Sequence, residues 1–330
     1  MKKEDLRIIF MGTPEFAVET LKTLVENGYH VVAVVTQPDK PVGRHGSVLQ
    51  PSAVKQYALE KGLPVLQPEK MKDPEFIEQL RAYQANLQVV VAFRMLPEIV
   101  WAMPEYGTFN VHAALLPQYR GAAPINWAVI NGETQTGVTT FFLDHDIDTG
   151  RIIMQLPFDI PDDADVEYVY DGLMHLGADI CLKTLERIIA ADGHPETVSQ
   201  EDISLTSHLS PLTTLNPAPK IFKETCEIDW AKTAKHVYDF VRGLSPYPGA
   251  WTTLVATDGK ETILKIFKTR KTGIKTTAEQ GCISIDGKTL MVAVADEWLA
   301  IEELQLAGKK RMAARDFLNG MKDMESYTIK

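Results

Sequence analysis

Residues 87–117 read LQVVVAFRMLPEIVWAMPEYGTFNVHAALLP and contain two apolar runs separated by one helical segment. The run at 87–93 is almost continuously apolar, which is typical of a strand buried on both faces. The run at 107–113 predicts a second strand, and Pro97–Met103 between them predicts a helix. A strand, a helix and a second strand in this order favour a parallel pair joined by a crossover.

The same alternation continues on both sides of this stretch. Further strands are predicted at residues 6–12, 30–37 and 64–68, and further helices at Glu15–Asn27, Ser52–Lys61, Pro74–Ala85, Pro124–Gly132 and 166–191. Two runs at 136–143 and 151–160 have no helix-length segment between them, so we expect them to pair antiparallel. The N-terminal part is therefore predicted to be α/β, with a Rossmann-like, mostly parallel sheet and flanking helices.

The composition changes after residue 191. Residues 192–219 are rich in serine, threonine, proline and asparagine, which predicts a linker. Residues 220–330 contain a helix at 230–244, several short β-like runs and a last short helix, which predicts a small OB-like β-barrel. We therefore expect a catalytic domain at 1–191 and a second domain at 220–330.

Charge is distributed unevenly along the chain, whose net charge is −10. Residues 1–206 hold 16 Lys+Arg and 29 Asp+Glu, a net of −13, while residues 207–330 hold 18 and 15, a net of +3. The three cysteines lie far apart, which argues against a zinc site or a disulfide scaffold and fits a reducing cytoplasm. The N-terminus lacks the pattern of a signal peptide, and no run reaches the length of a membrane span.

Polar side chains interrupt the predicted strand at 107–113. Residues two apart in a strand project from the same face, so Asn110 and His112 point together and away from Phe109 and Val111. Strand ends of this kind are where open α/β sheets place their sites. Asp148 lies beyond the next predicted strand, within DIDTG, and is predicted to reach the same pocket.

Three other motifs do not fit the sites that they resemble. FMGTPEF (10–16) has one glycine where dinucleotide binding needs three, and no phosphate-binding P-loop motif occurs. DHDIDTGRIIMQ (144–155) begins like a calcium loop, but Thr149 and Gln155 stand where such a loop has glycine and glutamate.

Two segments concentrate positive charge. The loop TQPDKPVGRHGS (36–47) carries Lys40 and Arg44, and its two interpretations are a mobile surface loop and an arm that contacts a partner. Residues 259–275 hold six basic residues and only one acidic residue, Glu261. Such a run is usually a solvated strand face, but on this acidic chain it also indicates a polyanionic partner.

The chain resembles the methionyl-tRNA formyltransferase family, a branch of the 10-formyltetrahydrofolate-dependent formyltransferases. The resemblance covers nearly the whole chain and is carried by FMGTPEFA (10–17), TQPDKPVGR (36–44), NVHAALLPQYRGAAPI (110–125) and DIDTG (146–150). It implies a one-carbon transferase that moves a formyl group from 10-formyltetrahydrofolate to the α-amine of methionyl-initiator tRNA. It also implies a cytoplasmic enzyme of translation initiation that needs no metal, and we expect a monomer.

The resemblance also assigns residues. Asn110 would donate to the formyl oxygen, His112 would be a cation that stabilises this oxygen and transfers protons, and Asp148 would orient His112. Folate contacts are expected from Phe93, Arg94, Ala114, Leu115, Leu116 and Pro117, and tRNA contacts from Lys40, Arg44, Lys265, Lys268, Arg270 and Lys271. Two positions depart from the family pattern. Ala114 stands where the family usually has a serine. After the fourth strand the family usually has a Tyr-Gly pair, whereas this chain has the segment that contains Phe93 and Arg94.

Other functions remain open at this point. The Asn–His–Asp set specifies the chemistry but not the acceptor, so an amino sugar nucleotide or glycinamide ribonucleotide is an alternative acceptor. A purine-type enzyme would not need the second domain, and a sugar-nucleotide enzyme would have no need of the Arg44 loop. An RNA-binding module with a vestigial Rossmann-like domain is the alternative from another class, and the complete polar set argues against it.

Overall fold

The computed structural model describes residues 1–42, 48–206, 215–321 and 323–330. These residues form two compact units. The N-terminal unit comprises Met1–Gly121, Gln135–Asp159 and Tyr170–Pro217. The C-terminal unit comprises Ala122–Thr134, Ile160–Val169 and Ala218–Lys330.

A mostly parallel sheet forms the centre of the N-terminal unit. The strands of this unit are β1 (Ile8–Gly12), β2 (Val31–Val35), β3 (Lys40–Val42), β4 (Val48–Gln50), β5 (Val65–Leu66), β6 (Leu87–Val91), β7 (Thr108–His112), β8 (Gln135–Phe142) and β9 (Ile152–Asp159). The sheet order is β5-β2-β1-β6-β7-β8-β9. The first five of these are parallel, whereas β8 is antiparallel to both β7 and β9. The predicted α/β, Rossmann-like sheet is confirmed, including the antiparallel pair at its edge.

Most helices begin and end close to the predicted positions, but the helix Gln200–Thr206 lies in the segment predicted as a linker. They are α1 (Glu15–Glu26), α2 (Ala53–Glu60), α3 (Pro74–Ala82), α4 (Glu98–Trp101), α5 (Pro124–Ile130), α6 (Val166–Ala190), α7 (Gln200–Thr206), α8 (Ala234–Gly243) and α9 (Ala314–Gly320). Local chemistry explains several of the starts. The side chains of Ser52, Asp73 and Thr233 accept hydrogen bonds from backbone N–H groups in the first turns of α2, α3 and α8.

The sheet order places a switch point at β1. The chain runs outward from β1 to β2 and β5, then returns to β6 on the other side of β1. Every residue of β1, β2 and β6 is buried, as expected for strands covered on both faces. In open sheets of this type ligands bind at the carboxyl ends of the strands on either side of such a point. These ends are Gly12, Val91 and, one strand further, His112.

The loop at 36–47 is more regular than the sequence indicates. Its described part pairs as a short hairpin, in which Lys40 lies opposite Gln50. The base of the hairpin is held by Asp39, which accepts hydrogen bonds from Lys55 and Gln67. These bonds lower the pKa of the Asp39 carboxyl, and they fix where the hairpin leaves the sheet.

The C-terminal unit is built on an antiparallel sheet. Its strands are β10 (Ala250–Val255), β11 (Glu261–Lys275), β12 (Ile283–Asp286), β13 (Thr289–Ala293), β14 (Glu297–Leu306), β15 (Met312–Ala313) and β16 (Thr328–Ile329). The order is β12-β13-β14-β11-β10-β16, and β15 adds to β14. Cys282, just before β12, forms an isolated antiparallel backbone β-bridge with Thr328 of β16, so the two edges of the sheet meet. The predicted small β-barrel is confirmed by this arrangement.

Candidate active site

The candidate site lies at the carboxyl end of β7. This strand pairs with β6 in parallel and with β8 in antiparallel fashion, so its last residues are held from both sides. Asn110 is half-buried and makes no hydrogen bond to the described residues, while His112 is buried. The period of the strand places both side chains on one face, as the sequence predicts.

His112 is oriented by a backbone carbonyl. Its Nε2 lies 2.9 Å from the oxygen of Tyr119, and its ring meets Phe141 edge-on at 6.4 Å. A carbonyl oxygen only accepts, so Nε2 must carry a hydrogen. Nδ1 is then the nitrogen that faces the carboxylate of Asp148, with 3.9 Å between Nδ1 and Oδ2. This distance is too long for a hydrogen bond, so the carboxylate and the ring are neighbours without a direct bond.

Asp148 is brought to this site by the loop between β8 and β9. Its backbone is left-handed, with a φ of 56°, and its side chain is only 13% exposed. Oδ2 accepts a hydrogen bond of 2.9 Å from the N–H of Gly121. The predicted meeting of Asp148 with the β7 residues is therefore present for His112, and the carboxylate has a fixed orientation.

Gly150 allows the Asp148 loop to lie against β8. A Cβ atom on Gly150 would lie 1.7 Å from the carbonyl oxygen of Phe142. No side chain can be accommodated at that distance without moving the backbone. The glycine of DIDTG is thus required by close approach of two backbone segments.

Gln200 is a residue of the site that the sequence did not predict. It begins α7, in the segment predicted as a linker, and its side chain bonds to the Asp148 loop and to Arg120. Ile203 of the same helix packs against Leu116, Phe141 and Ile152. No motif marks Gln200, and the serine- and threonine-rich surroundings concealed it.

Four of the residues predicted to contact folate form a turn directly after β7. Ala114, Leu116 and Pro117 are buried, and Leu115 is half-buried. Thr139 accepts from the N–H of Leu116 and donates to the carbonyl of Ala114, while the Gln155 amide donates to the Leu116 carbonyl. These bonds fix the shape of the turn.

Arg94 lies in a different setting from the turn after β7. Its guanidinium donates to the backbone carbonyls of Pro68 and Glu69 and lies 5.7 Å from the ring of Phe93. Burial lowers the pKa of this guanidinium. Ala92, two residues before Arg94, has a left-handed φ of 47°. Arg94 thus connects the loop after β6 to the segment after β5.

The residues predicted to contact tRNA lie in two places. Lys40 is exposed at the start of β3, and Arg44 lies outside the described residues. The other four are on β11, where most have partners within the protein. Lys268 and Arg270 both reach Glu302, with N–O distances of 3.6 and 3.1 Å.

Lys271 and Lys265 bond elsewhere in the C-terminal unit. Lys271 Nζ lies 2.9 Å from Asp162, and this contact lowers the pKa of the Asp162 carboxyl. Lys265 donates to the carbonyl of Pro248 at the edge of a cavity of about 500 Å³. That cavity combines cationic and aromatic side chains, among them Lys220, Phe222, Lys223, Tyr247, Trp251 and Lys265.

The described residues form neither a metal cluster nor a membrane-spanning helix. No cluster of three or more histidine, cysteine, aspartate or glutamate side chains in residues 1–42, 48–206, 215–321 and 323–330 is arranged to hold a metal ion. Within the same ranges, no helix combines the length and the apolar character needed to cross a membrane.

Comparisons to known families agree with the fold. Residues 6–185 match the family model described as formyl transferase, and residues 220–322 match formyl transferase, C-terminal domain. The chain belongs to the formyl transferase family. Within that family it is similar to the methionyl-tRNA formyltransferase of Parabacteroides distasonis, at 60% identity over 330 residues that cover all of both chains.

Solved structures share the fold at low sequence identity. HypX from Aquifex aeolicus in complex with tetrahydrofolic acid gives a TM-score of 0.58 at 18% identity, covering 95% of this chain and 47% of that one. WlaRD, a sugar 3N-formyl transferase, gives a TM-score of 0.60 at 18% identity, covering 92% of this chain and 99% of that one.

Proposed function

We propose that this chain transfers the formyl group of 10-formyltetrahydrofolate to the α-amine of methionyl-initiator tRNA. The observation that carries the proposal is the position of Asp148 at 3.9 Å from His112, at the end of the strand that also carries Asn110, in a formyl transferase fold. The full-length similarity to a methionyl-tRNA formyltransferase supports this acceptor over an amino sugar. The proposal places the chain in the cytoplasm, where translation takes place, and its monomeric state stays a prediction.

The reaction sets clear demands on the site. An α-amino group titrates at about pH 8, so near neutrality much of it is protonated and cannot attack a carbonyl carbon. The site must accept that proton and hold the neutral amine against the formyl carbon. It must also stabilise the oxyanion of the tetrahedral intermediate and then protonate the leaving nitrogen.

The three polar residues meet these demands in different ways. The amide of Asn110 makes no hydrogen bond to the described residues, so its N–H₂ group is available to the formyl oxygen. His112 places a cation at the same strand end, where it opposes the negative charge of the oxyanion. Asp148 stabilises that cation at 3.9 Å and is a base for the amine proton, directly or through water.

The surroundings of the strand end fit a folate co-substrate through shape more than through side-chain contacts. Ala114 has no hydroxyl, and the turn that contains it is fixed from behind by Thr139 and Gln155. We propose that Leu115, Leu116 and Pro117 form an apolar wall for the pterin, with Phe93 and Arg94 on the loop after β6. Arg94 would act by holding that loop to the segment after β5.

The C-terminal unit is proposed to hold the tRNA. Residues 207–330 have a net charge of +3, with 18 Lys+Arg and 15 Asp+Glu, and the cavity lined by Lys220, Lys223 and Lys265 adds the aromatic surface of Phe222 and Trp251. Cations with aromatic rings suit an unpaired nucleotide, because the cations meet phosphate and the rings stack on a base. Lys40 and Arg44 remain the proposed contacts of the N-terminal unit.

We expect the double variant Lys268→Gln/Arg270→Gln to raise KM for the tRNA and to flatten its salt dependence. Each lost phosphate contact should reduce the log–log slope of affinity against salt by roughly 0.7–0.9. The value of kcat at saturating tRNA should stay near the wild-type value, because neither residue touches the strand end. The measurement is KM for methionyl-tRNA over a series of salt concentrations.

Glu302→Gln is the matched control for this prediction. It removes the anion that both cations share and should lower KM for the tRNA. The side chains of Lys268 and Arg270 are 64% and 55% exposed, so none of these changes should alter thermal stability much. A double variant with the wild-type salt slope would mean that this face of β11 is only solvated.

The acceptor is tested by comparing kcat/KM for three candidate acceptors. The protein is incubated with 10-formyltetrahydrofolate and, in turn, methionyl-initiator tRNA, an amino sugar nucleotide and glycinamide ribonucleotide. We expect the highest kcat/KM for the tRNA. A higher value for the sugar nucleotide would favour that alternative, and tRNA binding without any turnover would indicate an RNA-binding module.

A further inference from the structure

Gln200 connects the two loops that form the candidate site. Its amide nitrogen donates to the carbonyl of Asp148 at 2.8 Å and to that of Gly150 at 2.9 Å. Its amide oxygen accepts from Nε and Nη2 of Arg120, at 3.0 and 2.6 Å. One buried side chain therefore bonds to the loop after β8 and to the loop after β7.

Two residues of these loops have uncommon backbone conformations. Asp148 and Tyr119 both have left-handed φ angles, of 56° and 59°, although neither is glycine. Such conformations persist only where the surroundings determine them. The carbonyl of Asp148 is held by Gln200, and that of Tyr119 by Nε2 of His112.

Holding the backbone of Asp148 also limits where its carboxylate can lie. With the carbonyl held by Gln200, Oδ2 lies 2.9 Å from the N–H of Gly121 and 3.9 Å from Nδ1 of His112. Arg120, the residue before Gly121, is held by the same amide group. Gln200 thus sets the separation between the carboxylate and both of its neighbours.

We propose that Gln200 is a positioning residue for the formyl transfer, acting through the backbone of Asp148 and through Arg120. This inference rests on the proposed function, because its catalytic consequence requires that Asp148 serve the reaction. Gln200 itself touches no reacting atom. Its amide group, and not its volume, is what the site requires.

Two substitutions separate hydrogen bonding from packing. Gln200→Met keeps the length of the side chain and loses the hydrogen bonds to both loops. Gln200→Glu keeps an acceptor for Arg120 but faces the carbonyls of Asp148 and Gly150 with a carboxylate. Both should lower kcat by about 10²-fold, the scale for a displacement of about 1 Å at a catalytic group. The KM values for both substrates should stay near those of the wild type.

Two further variants complete the comparison. Arg120→Ala leaves the bonds to the Asp148 loop in place and should reduce kcat less than Gln200→Glu. Ser199→Ala, at the same end of α7, loses only a contact with the backbone of Glu201 and should retain wild-type kcat.

A measurement that does not depend on activity tests the same point. The backbone amide of Gly121 donates to the Asp148 carboxylate, so its proton resonance should lie downfield in the wild type and shift upfield in Gln200→Met and Gln200→Glu. Wild-type kcat together with an unchanged Gly121 resonance in Gln200→Met would overturn the inference. A wild-type protein without formyl transfer but with the expected Gly121 shifts would refute the proposed function and keep the structural role of Gln200.

Discussion

Asn110→Ala, His112→Ala and Asp148→Ala should each lower kcat/KM by about 10²–10⁴, the scale expected for oxyanion and acid–base groups. Asn110→Ala would remove the donor to the formyl oxygen. His112→Ala would remove the cation that opposes the negative charge on that oxygen. Asp148 would lose the carboxylate that lies 3.9 Å from Nδ1 of His112. The measurement is steady-state formylation of methionyl-tRNA with each single variant.

Because the three residues would act as one unit, paired substitutions should lose far less than the product of the single losses. Asp144→Ala is the matched control, since Asp144 is an exposed carboxylate of the same loop. Its kcat/KM should stay close to the wild-type value. Full multiplicativity of the His112→Ala and Asp148→Ala effects would contradict the idea of a single catalytic unit.

Gly150→Ala should be the most damaging change to the structure of the site. The added Cβ would lie 1.7 Å from the Phe142 carbonyl oxygen, so the loop must move away from β8. We expect a loss of about 3 kcal/mol in the free energy of unfolding, the upper part of the range for overpacking. The same movement displaces Asp148, so kcat should also fall by about 10²-fold.

Gly177→Ala in α6 is the control for this substitution. Its nearest neighbour would be a methyl group of Val111 at 3.5 Å, an ordinary contact. Alanine in a helix should therefore raise the free energy of unfolding by about 0.5–1 kcal/mol. Denaturant melts of both variants measure these changes, and wild-type stability in Gly150→Ala would show that the loop does not depend on the glycine.

The fold was predictable because its signals are local. Continuous apolar runs identified β1, β2 and β6, and the missing helix between residues 143 and 151 identified the antiparallel pair β8–β9. Period-two projection was enough to place Asn110 with His112. Asp148 was proposed from its position after a strand, two residues before Gly150.

The remaining features of the site depend on contacts between residues distant in sequence. Gln200 lies 52 residues from Asp148 in the chain, and no pattern around it indicates the pair. The pairing of Lys268 and Arg270 with Glu302 depends on the register between β11 and β14. A sequence count of basic residues gives their charge but not these partners.

The hairpin at 40–50 shows the same limit. Its composition of proline and glycine indicates an irregular loop, whereas Lys40–Val42 and Val48–Gln50 pair antiparallel. The bonds of Asp39 to Lys55 and Gln67 hold its base, and they come from later parts of the chain. Local composition carries no information on such long-range contacts, so it did not indicate the hairpin.

The central claim is that Asn110 and His112 of β7, with Asp148 of the loop after β8, deliver a formyl group to the methionyl amine. The most direct measurement follows ¹³C-labelled formyl from 10-formyltetrahydrofolate in a single turnover with methionyl-initiator tRNA, using the wild type and His112→Ala. We expect the label to appear on the methionine nitrogen with the wild type and far more slowly with His112→Ala. Label that never reaches methionine, or that reaches it equally fast with both proteins, would contradict it.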